Sequence, residues 1–233
     1  MTSALEVILP VHNEAESIEA TLREWHSELR SLSPTFIVCE DGSRDQTVAV
    51  VRALAEELPI KLLTSSERKG YSRAVIDGMV ATTSDFVLCV DSDGQCDPTD
   101  VWRLWNERHR YDLVKGRRTK REDPFVRRFL SGLFRLYYTA LFPVPGRDPS
   151  CPYLLMRKAV IDRLLPELGV LDQGFWWEFV ARAHRRNFTM LEVPVSHRPR
   201  AAGMTQVYRW RRMPRIGISH GLGLLVIWWQ TRT

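Results

Sequence analysis

The chain contains no CxxC pair, no G-x-G-x-x-G run and no G-x-x-x-x-G-K-[ST] run. Its four cysteines, Cys39, Cys89, Cys96 and Cys151, are scattered. Neither a zinc site nor a disulfide framework is indicated, and Cys39 and Cys89 lie in apolar runs where small thiols are commonly buried. Without the glycine fingerprints, NAD binding and a P-loop are not expected. No low-complexity segment or self-similar repeat is visible, so repeat arrays drop out. The N-terminal MTSALEVILPVHNE lacks a cationic stretch followed by a long apolar one. No signal peptide is read there, and a cytoplasmic start is expected. Long hydrophobic runs are missing too. The apolar stretch 216–229, IGISHGLGLLVIWW, stops at 14 positions and includes His220 and three glycines. A spanning helix needs about 20 apolar residues.

What is present is an ordinary globular composition. The 233 residues are 44% hydrophobic and 26% charged. That is enough for one large domain, or one domain with an appendage, around a sizeable core. The net charge of +5 hides a segregation. Residues 1–114 carry 20 Asp+Glu against 11 Lys+Arg; residues 115–233 carry 22 Lys+Arg against 8 Asp+Glu. A basic second half suggests an anionic partner: a phosphorylated substrate, anionic lipid or nucleic acid. Nucleic acid is the least favoured, because the aromatics there cluster with apolar residues and do not interleave with the arginines as a stacking platform would.

The first half repeats one unit. Apolar, β-branched runs at 5–9, 35–39, 60–63, 86–90 and 111–114 alternate with helix-like stretches at 14–30, 46–57, 71–82 and 98–109. Asn13 with Glu16 offers a capping box, and Asp97 before Pro98 an N-cap with proline at the first helical position. Alternation at this spacing predicts βαβ units, a mostly parallel sheet and helices on both faces. A later strand is expected in TMLEVPV, 189–195. In open α/β sheets, ligands bind at the carboxyl ends of the strands. Three polar clusters fall there: PVHNE (10–14), EDGSRDQT (40–47) and DSDGQ (91–95).

DSDGQ puts Asp91 and Asp93 just past a strand, with Gln95 adding a neutral oxygen. Hard divalent ions want oxygen ligands, and Mg²⁺ usually takes one or two carboxylates plus substrate phosphates. A polar turn capped by Asp91 would also explain the segment; the matching Asp41 at another strand end favours the metal. Asp41 itself suits hydrogen bonds to a ribose or a base edge. Gly70, in RKGYSRA, marks a helix start. Residues 115–128, KGRRTKREDPFVRR, hold seven Lys+Arg.

In the order PxxNE, (E/D)DGSxDxT, a Gly before a helix, then DxD ahead of a basic segment, the chain resembles the family 2 inverting glycosyltransferases of GT-A fold. Within them it is most similar to the dolichyl-phosphate mannose synthase and polyprenyl-phosphate branch. The similarity covers about residues 4–210. It implies that Pro10, His12 and Glu14 line the nucleotide, with Cys39 and Asp41 at the base and ribose and Gly70 beside them. Asp91, Ser92 and Asp93 would form the DxD element, with Asp93 and Gln95 on Mg²⁺ or Mn²⁺. Arg117 matches a post-strand arginine facing phosphate, Arg127 with Ser131 a second phosphate contact, and Arg200 the arginine of an R-x-x-G-x-S-K signature. Two segments depart: Thr205-Gln206 stand where the family has Ser-Lys, and Pro152 where it has Gly. Lysine and arginine are not interchangeable, so neighbouring Arg209, Arg211 and Arg212 are not simple substitutes.

The resemblance implies transfer of a hexose from a nucleotide sugar to a polyprenyl phosphate. A phosphate acceptor is already a nucleophile and needs no strong base. A saccharide hydroxyl would need one, and Asp172 or Glu178 could serve; Glu178 could equally pair with an arginine. A non-catalytic nucleotide-sugar-binding scaffold is the third alternative. The terminal tryptophans beside arginines suit a membrane interface, with a partner or self-association surface as the other option for the tail; FLSGLFRLYYTALF (129–142) suits a second contact, with a buried core helix as the other option. The expected organisation is a GT-A domain over 1–210 and a basic, amphipathic extension over 211–233, attached peripherally to the cytoplasmic face of a membrane.

Overall fold

The computed structural model describes residues 5–119, 125–199 and 213–232, with side chains described for all of these except 125–131 and 213–216. Among these residues, seven strands form one sheet: β1 (Leu5–Val11), β2 (Thr35–Glu40), β3 (Ile60–Thr64), β4 (Phe86–Cys89), β5 (Leu113–Arg118), β6 (Leu154–Arg157) and β7 (Met190–Val195). Their order is β3-β2-β1-β4-β6-β5-β7. All neighbouring pairs are parallel except those of β6, which runs against both β4 and β5. Two reversals cancel, so β5 and β7 point the same way as β1 to β4. The carboxyl ends of six strands therefore share one edge.

The strands read as continuous apolar runs because both faces of the sheet are covered. Leu5, Val7 and Leu9 of β1 pack beneath α1 (Ile18–Leu29), α2 (Thr47–Leu54) and α4 (Val101–Trp105), through Leu22, Trp25, Val51, Leu54 and Leu104. Ile8, between them, faces the opposite core. There it joins residues of α3 (Tyr71–Val80), α5 (Phe125–Leu141), α6 (Lys158–Leu164), α7 (Phe175–Arg185) and α8 (Met213–Gln230). Period-2 alternation of side chains sorts each strand's residues between the two cores.

Several sequence expectations shift. The first helix starts at Ile18, not near residue 14, and the capping box does not form. Asn13 instead takes a positive φ of 55° and its side-chain oxygen accepts from the backbone of Arg44. The strand expected at 111–114 runs on to Arg118, so Arg117 lies inside β5 and not after it. β6 was not anticipated: four residues, three of them apolar, carry too little pattern to signal a strand. The Asp97 cap is present, its carboxylate accepting from Thr99 N at 3.0 Å ahead of Pro98.

Helix α5 is a core helix on one side and apolar but exposed on the other. Tyr138 and the adjoining Phe142 are fully buried, whereas Leu133 and Leu136 are exposed. Residues of the expected C-terminal extension also reach the core, since Leu224 and Ile227 of α8 are fully buried. Among the described residues, no helix is long and apolar enough to cross a membrane.

Candidate functional site

At the shared edge, the loops after β1 and β2 are stitched together. Asn13 N donates to Ser43 Oγ at 2.9 Å, Glu14 N to Thr47 Oγ1 at 2.9 Å and Ala15 N to Asp45 Oδ2 at 3.2 Å. His12 is tied in through Nδ1, 2.8 Å from the Asp41 carbonyl oxygen. Burial would raise the Asp45 carboxyl, but bonds from Thr47 and Ala15 hold it below its ordinary value. Pro10, His12 and Glu14, expected at a nucleotide, are partly exposed on this edge. The Glu14 carboxylate accepts from Ser17 Oγ at 2.8 Å.

Asp41 is almost fully buried. Its two oxygens accept from the backbone of Lys69, at 2.6 Å, and Gly70, at 2.8 Å. It thereby clamps the loop entering α3 and shapes the wall of the edge. Next to it, Gly42 has a φ of +64°, and a Cβ there would fall 2.6 Å from the backbone of Arg68 and of Glu67. The close approach of these two loops requires glycine. Cys39, expected at the base and ribose, is 2% exposed and packs under α3, where a Cβ on Gly78 would come within 2.7 Å of its sulfur. Burial pushes its thiol up to about 12. It is a core residue, because its position in β2 points it into the apolar layer.

The DSDGQ segment leaves β4 at the centre of the edge. Ser92 is anchored, its hydroxyl donating to the Pro10 carbonyl at 3.0 Å. Asp91 and Asp93 are partly exposed on either side of it. Gln95 Nε2 donates to the Arg198 carbonyl at 3.2 Å and lies 3.3 Å from His197 Nε2. This leaves the Gln95 side-chain oxygen as its donor for a cation. The segment after β7 is held here by a bridge between Cys96 and His197 and by Arg198, whose guanidinium sits 2.9 Å from Asp97.

Sequence reasoning missed two residues here. Tyr71, the first residue of α3, donates its hydroxyl to Asp91 Oδ1 at 2.9 Å. Trp176, in the first turn of α7, donates its indole N–H to the Tyr71 oxygen at 2.8 Å. Burial, then the Asp91 charge, pushes the Tyr71 phenol well above its ordinary value, so it stays a proton donor. The sequence signal was weak: two aromatics some hundred positions apart, one directly after Gly70 and the other two residues after Gly174.

The neighbouring arginines of β5 differ. Arg118 makes a two-point pair with Asp148, both contacts at 2.8 Å. Arg117 remains 39% exposed, with Glu192 at 3.6 Å. Arg117 is thus the guanidinium that could meet an anion.

Of the candidate bases, Glu178 is fully buried. Its oxygens accept from Val170 N, Leu171 N and Arg182 Nε at 2.9 to 3.2 Å. It is placed as a structural anion, not as a base facing substrate. The Asp172 side chain is exposed. The Arg127 and Ser131 side chains, Arg200, and the Thr205-Gln206 pair lie outside the described residues.

Among the described residues, no group of three or more His, Cys, Asp and Glu side chains could hold a metal ion. The edge offers two partly exposed carboxylates and one amide oxygen. That donor set fits a hard divalent ion whose shell is completed by water and substrate phosphate, and not a closed protein cage.

A family model described as "Glycosyl transferase family 2" matches residues 6–165. An undecaprenyl-phosphate 4-deoxy-4-formamido-L-arabinose transferase of Pseudomonas fluorescens is 28% identical over 204 residues, 85% of this chain and 59% of its own length. This chain therefore spans about three fifths of that curated relative. An uncharacterized glycosyltransferase of Mycobacterium tuberculosis is 30% identical over 210 residues, 88% of this chain and 89% of its own. Among solved structures, glucosyl-3-phosphoglycerate synthase from Mycobacterium tuberculosis, in complex with Mn²⁺, UDP-glucose and phosphoglyceric acid, superposes with a TM-score of 0.73 at 19% identity. The match covers 97% of this chain and 79% of that one. The likeness establishes the GT-A-like fold.

Proposed function

The chain belongs to glycosyl transferase family 2, and from that premise we propose that it moves a hexose, with inversion, from a UDP- or GDP-sugar to a polyprenyl phosphate. The observation that carries this reading is one sheet edge bearing Asp91, Asp93 and the partly exposed Arg117. It provides hard oxygen ligands for Mg²⁺ or Mn²⁺ and a guanidinium for phosphate. The name of the Pseudomonas relative, an undecaprenyl-phosphate sugar transferase, supports the acceptor class.

In this reaction an oxygen of the lipid phosphate bonds to the anomeric carbon as the bond from that carbon to the donor diphosphate breaks. The nucleoside diphosphate leaves. Asp91, Asp93 and Gln95 would hold the metal, which when bound neutralises charge on the diphosphate. Pro10, His12 and Glu14 would border the nucleotide, and Asp41 would fix the shape of that wall. Arg117 would orient a phosphate and screen the approach of two anions. Arg127, Ser131 and Arg200 are assigned to the same task by family resemblance. An ionised phosphate needs no general base, which agrees with Glu178 being sealed away from the edge.

A lipid acceptor calls for a membrane surface. Helices α5 and α8 contain no Asp or Glu. They touch through Tyr137 Oη, which donates to the Gly221 carbonyl at 2.9 Å. Ile218, Leu222, Leu225, Val226 and Trp229 form an exposed stripe along α8, and Leu133 and Leu136 are exposed on α5. An acid-free apolar face bordered by arginines suits the surface of an anionic bilayer. The chain is accordingly read as a peripheral enzyme on a cytoplasmic membrane face, with 1–210 as the transferase unit and 211–233 as the interface segment.

The test is transfer of label. Radiolabelled UDP- and GDP-hexoses, Mn²⁺ and a short polyprenyl phosphate should yield label in the organic phase. Label that moves only to soluble saccharides would point to a hydroxyl acceptor, and nucleotide binding with no donor consumed to a scaffold.

A further inference from the structure

Tyr71 and Trp176 come from elements remote in sequence and meet at the Tyr71 hydroxyl, which in turn holds the Asp91 carboxylate. Gly70, with a φ of +97°, precedes α3, and Gly174, with a φ of +84°, precedes α7. Each glycine turns the chain so that the first turn of its helix carries an aromatic to the edge. The polarity of the contact is fixed by chemistry. An indole N–H can only donate, so the Tyr71 oxygen must accept from Trp176. Its single proton is then the one given to Asp91 Oδ1 at 2.9 Å.

The anchorage behind this pair is dense. Trp176 is 5% exposed and packs edge-on against Phe175 and Phe179. The next residue of α3, Ser72, donates its hydroxyl to the carbonyls of Leu171 and Asp172, each at 2.8 Å. Glu178 in turn holds the amides of Val170 and Leu171. The aromatic pair is therefore pinned to the loop that leads into α7.

We propose that Tyr71 and Trp176 are positioning residues for Asp91: Tyr71 holds one carboxylate oxygen, Trp176 fixes the Tyr71 hydroxyl that does so, and together they orient this carboxylate for the divalent ion of the proposed reaction. The inference rests on that functional reading. A fixed hydrogen-bond partner narrows the rotamers of a carboxylate on a partly exposed loop before the ion arrives.

The experiment is titration of the purified protein with Mn²⁺ in the presence of UDP, followed by the electron paramagnetic resonance signal of free Mn²⁺. Tyr71→Phe removes one oxygen and keeps the ring; Trp176→Phe removes the indole donor and keeps an aromatic. Tyr71→Phe should weaken Mn²⁺ binding about tenfold or more. Trp176→Phe should weaken it in the same direction by less. Both should melt within a few degrees of the parent, and kcat should fall while KM for the lipid phosphate holds. Parent-like Mn²⁺ affinity in Tyr71→Phe overturns the inference and leaves the proposed function standing. A parent that binds no Mn²⁺ with or without UDP overturns both. Weakened binding matched by an equal weakening in a distant core variant of the same melting temperature would assign the effect to stability and overturn the positioning role.

Discussion

Glu178 and Arg182 form an ion pair one turn apart within α7, Oε1 to Nε at 3.0 Å, with side-chain exposures of 0% and 1%. Arg182 also donates to Gln230 Oε1 of α8 at 2.8 Å, and Glu178 receives the amides of Val170 and Leu171. Removing one partner of a buried pair strips compensation from the other charge, and without the Glu178 carboxylate Arg182 would keep as an ion pair only the longer contact to Glu167, at 3.6 Å, among the described residues. Glu178→Gln should therefore lower stability by about 3 kcal/mol in urea denaturation, with kcat per folded molecule close to the parent. A large loss of kcat with unchanged stability would restore Glu178 as a base.

Asp93→Asn should remove metal-stimulated turnover. Asp93 is partly exposed, so the melting temperature should barely move. Full turnover of the variant, or of the parent in excess chelator, would refute the metal assignment.

The two arginines at the end of β5 should behave oppositely. Arg117→Ala loses only a loose contact with Glu192 and should raise the KM of a phosphate substrate about tenfold, the loss of one charge-assisted bond, at near-parental stability. Arg118→Ala removes the two-point guanidinium contact to the buried Asp148 and should cost about 3 kcal/mol in denaturant. Equal melting temperatures for the two variants would contradict this division.

Binding to vesicles tests the apolar face. Leu222→Glu with Trp229→Glu should lower co-sedimentation with anionic vesicles at least about tenfold, since each lost apolar contact is worth about 2 kcal/mol. Activity on a water-soluble short-chain acceptor should persist. Unchanged sedimentation would remove α8 from the interface.

Stability should also fall on mild acidification. Burial pushes His220 below its ordinary value, against a raising contact with Gln173, and its Nε2 has no hydrogen-bond partner among the described residues. The folded state resists protonating it, whereas the unfolded chain binds a proton below about pH 6.5. The contribution is therefore complete above that pH and is lost as pH falls toward the lowered folded value. The parent should lose melting temperature between pH 7.5 and 5.5, and His220→Phe should lose less. Identical slopes would dismiss His220.

The helices and strands of the first half were legible because each rule there is local. Apolar runs, the Asp97–Pro98 cap and polar strand ends are all read within a few residues. The start of α1 was misjudged because Asn13 bonds to Arg44 across the edge, a partner no local pattern names. β6 escaped because four residues hold too little periodicity.

By itself, the sequence determined the α/β alternation, the family, and the carboxylates and arginines at the strand ends, since these follow from pattern and residue chemistry. Only the tertiary structure decided how each polar residue is employed. It buried Cys39 and Glu178, gave both oxygens of Asp41 to backbone amides, separated Arg117 from Arg118, and brought Tyr71 to Asp91 and Trp176 to Tyr71. The reason is that hydrogen bonds and burial depend on which distant segments meet, and the crossing of β6 between β4 and β5 sets that meeting.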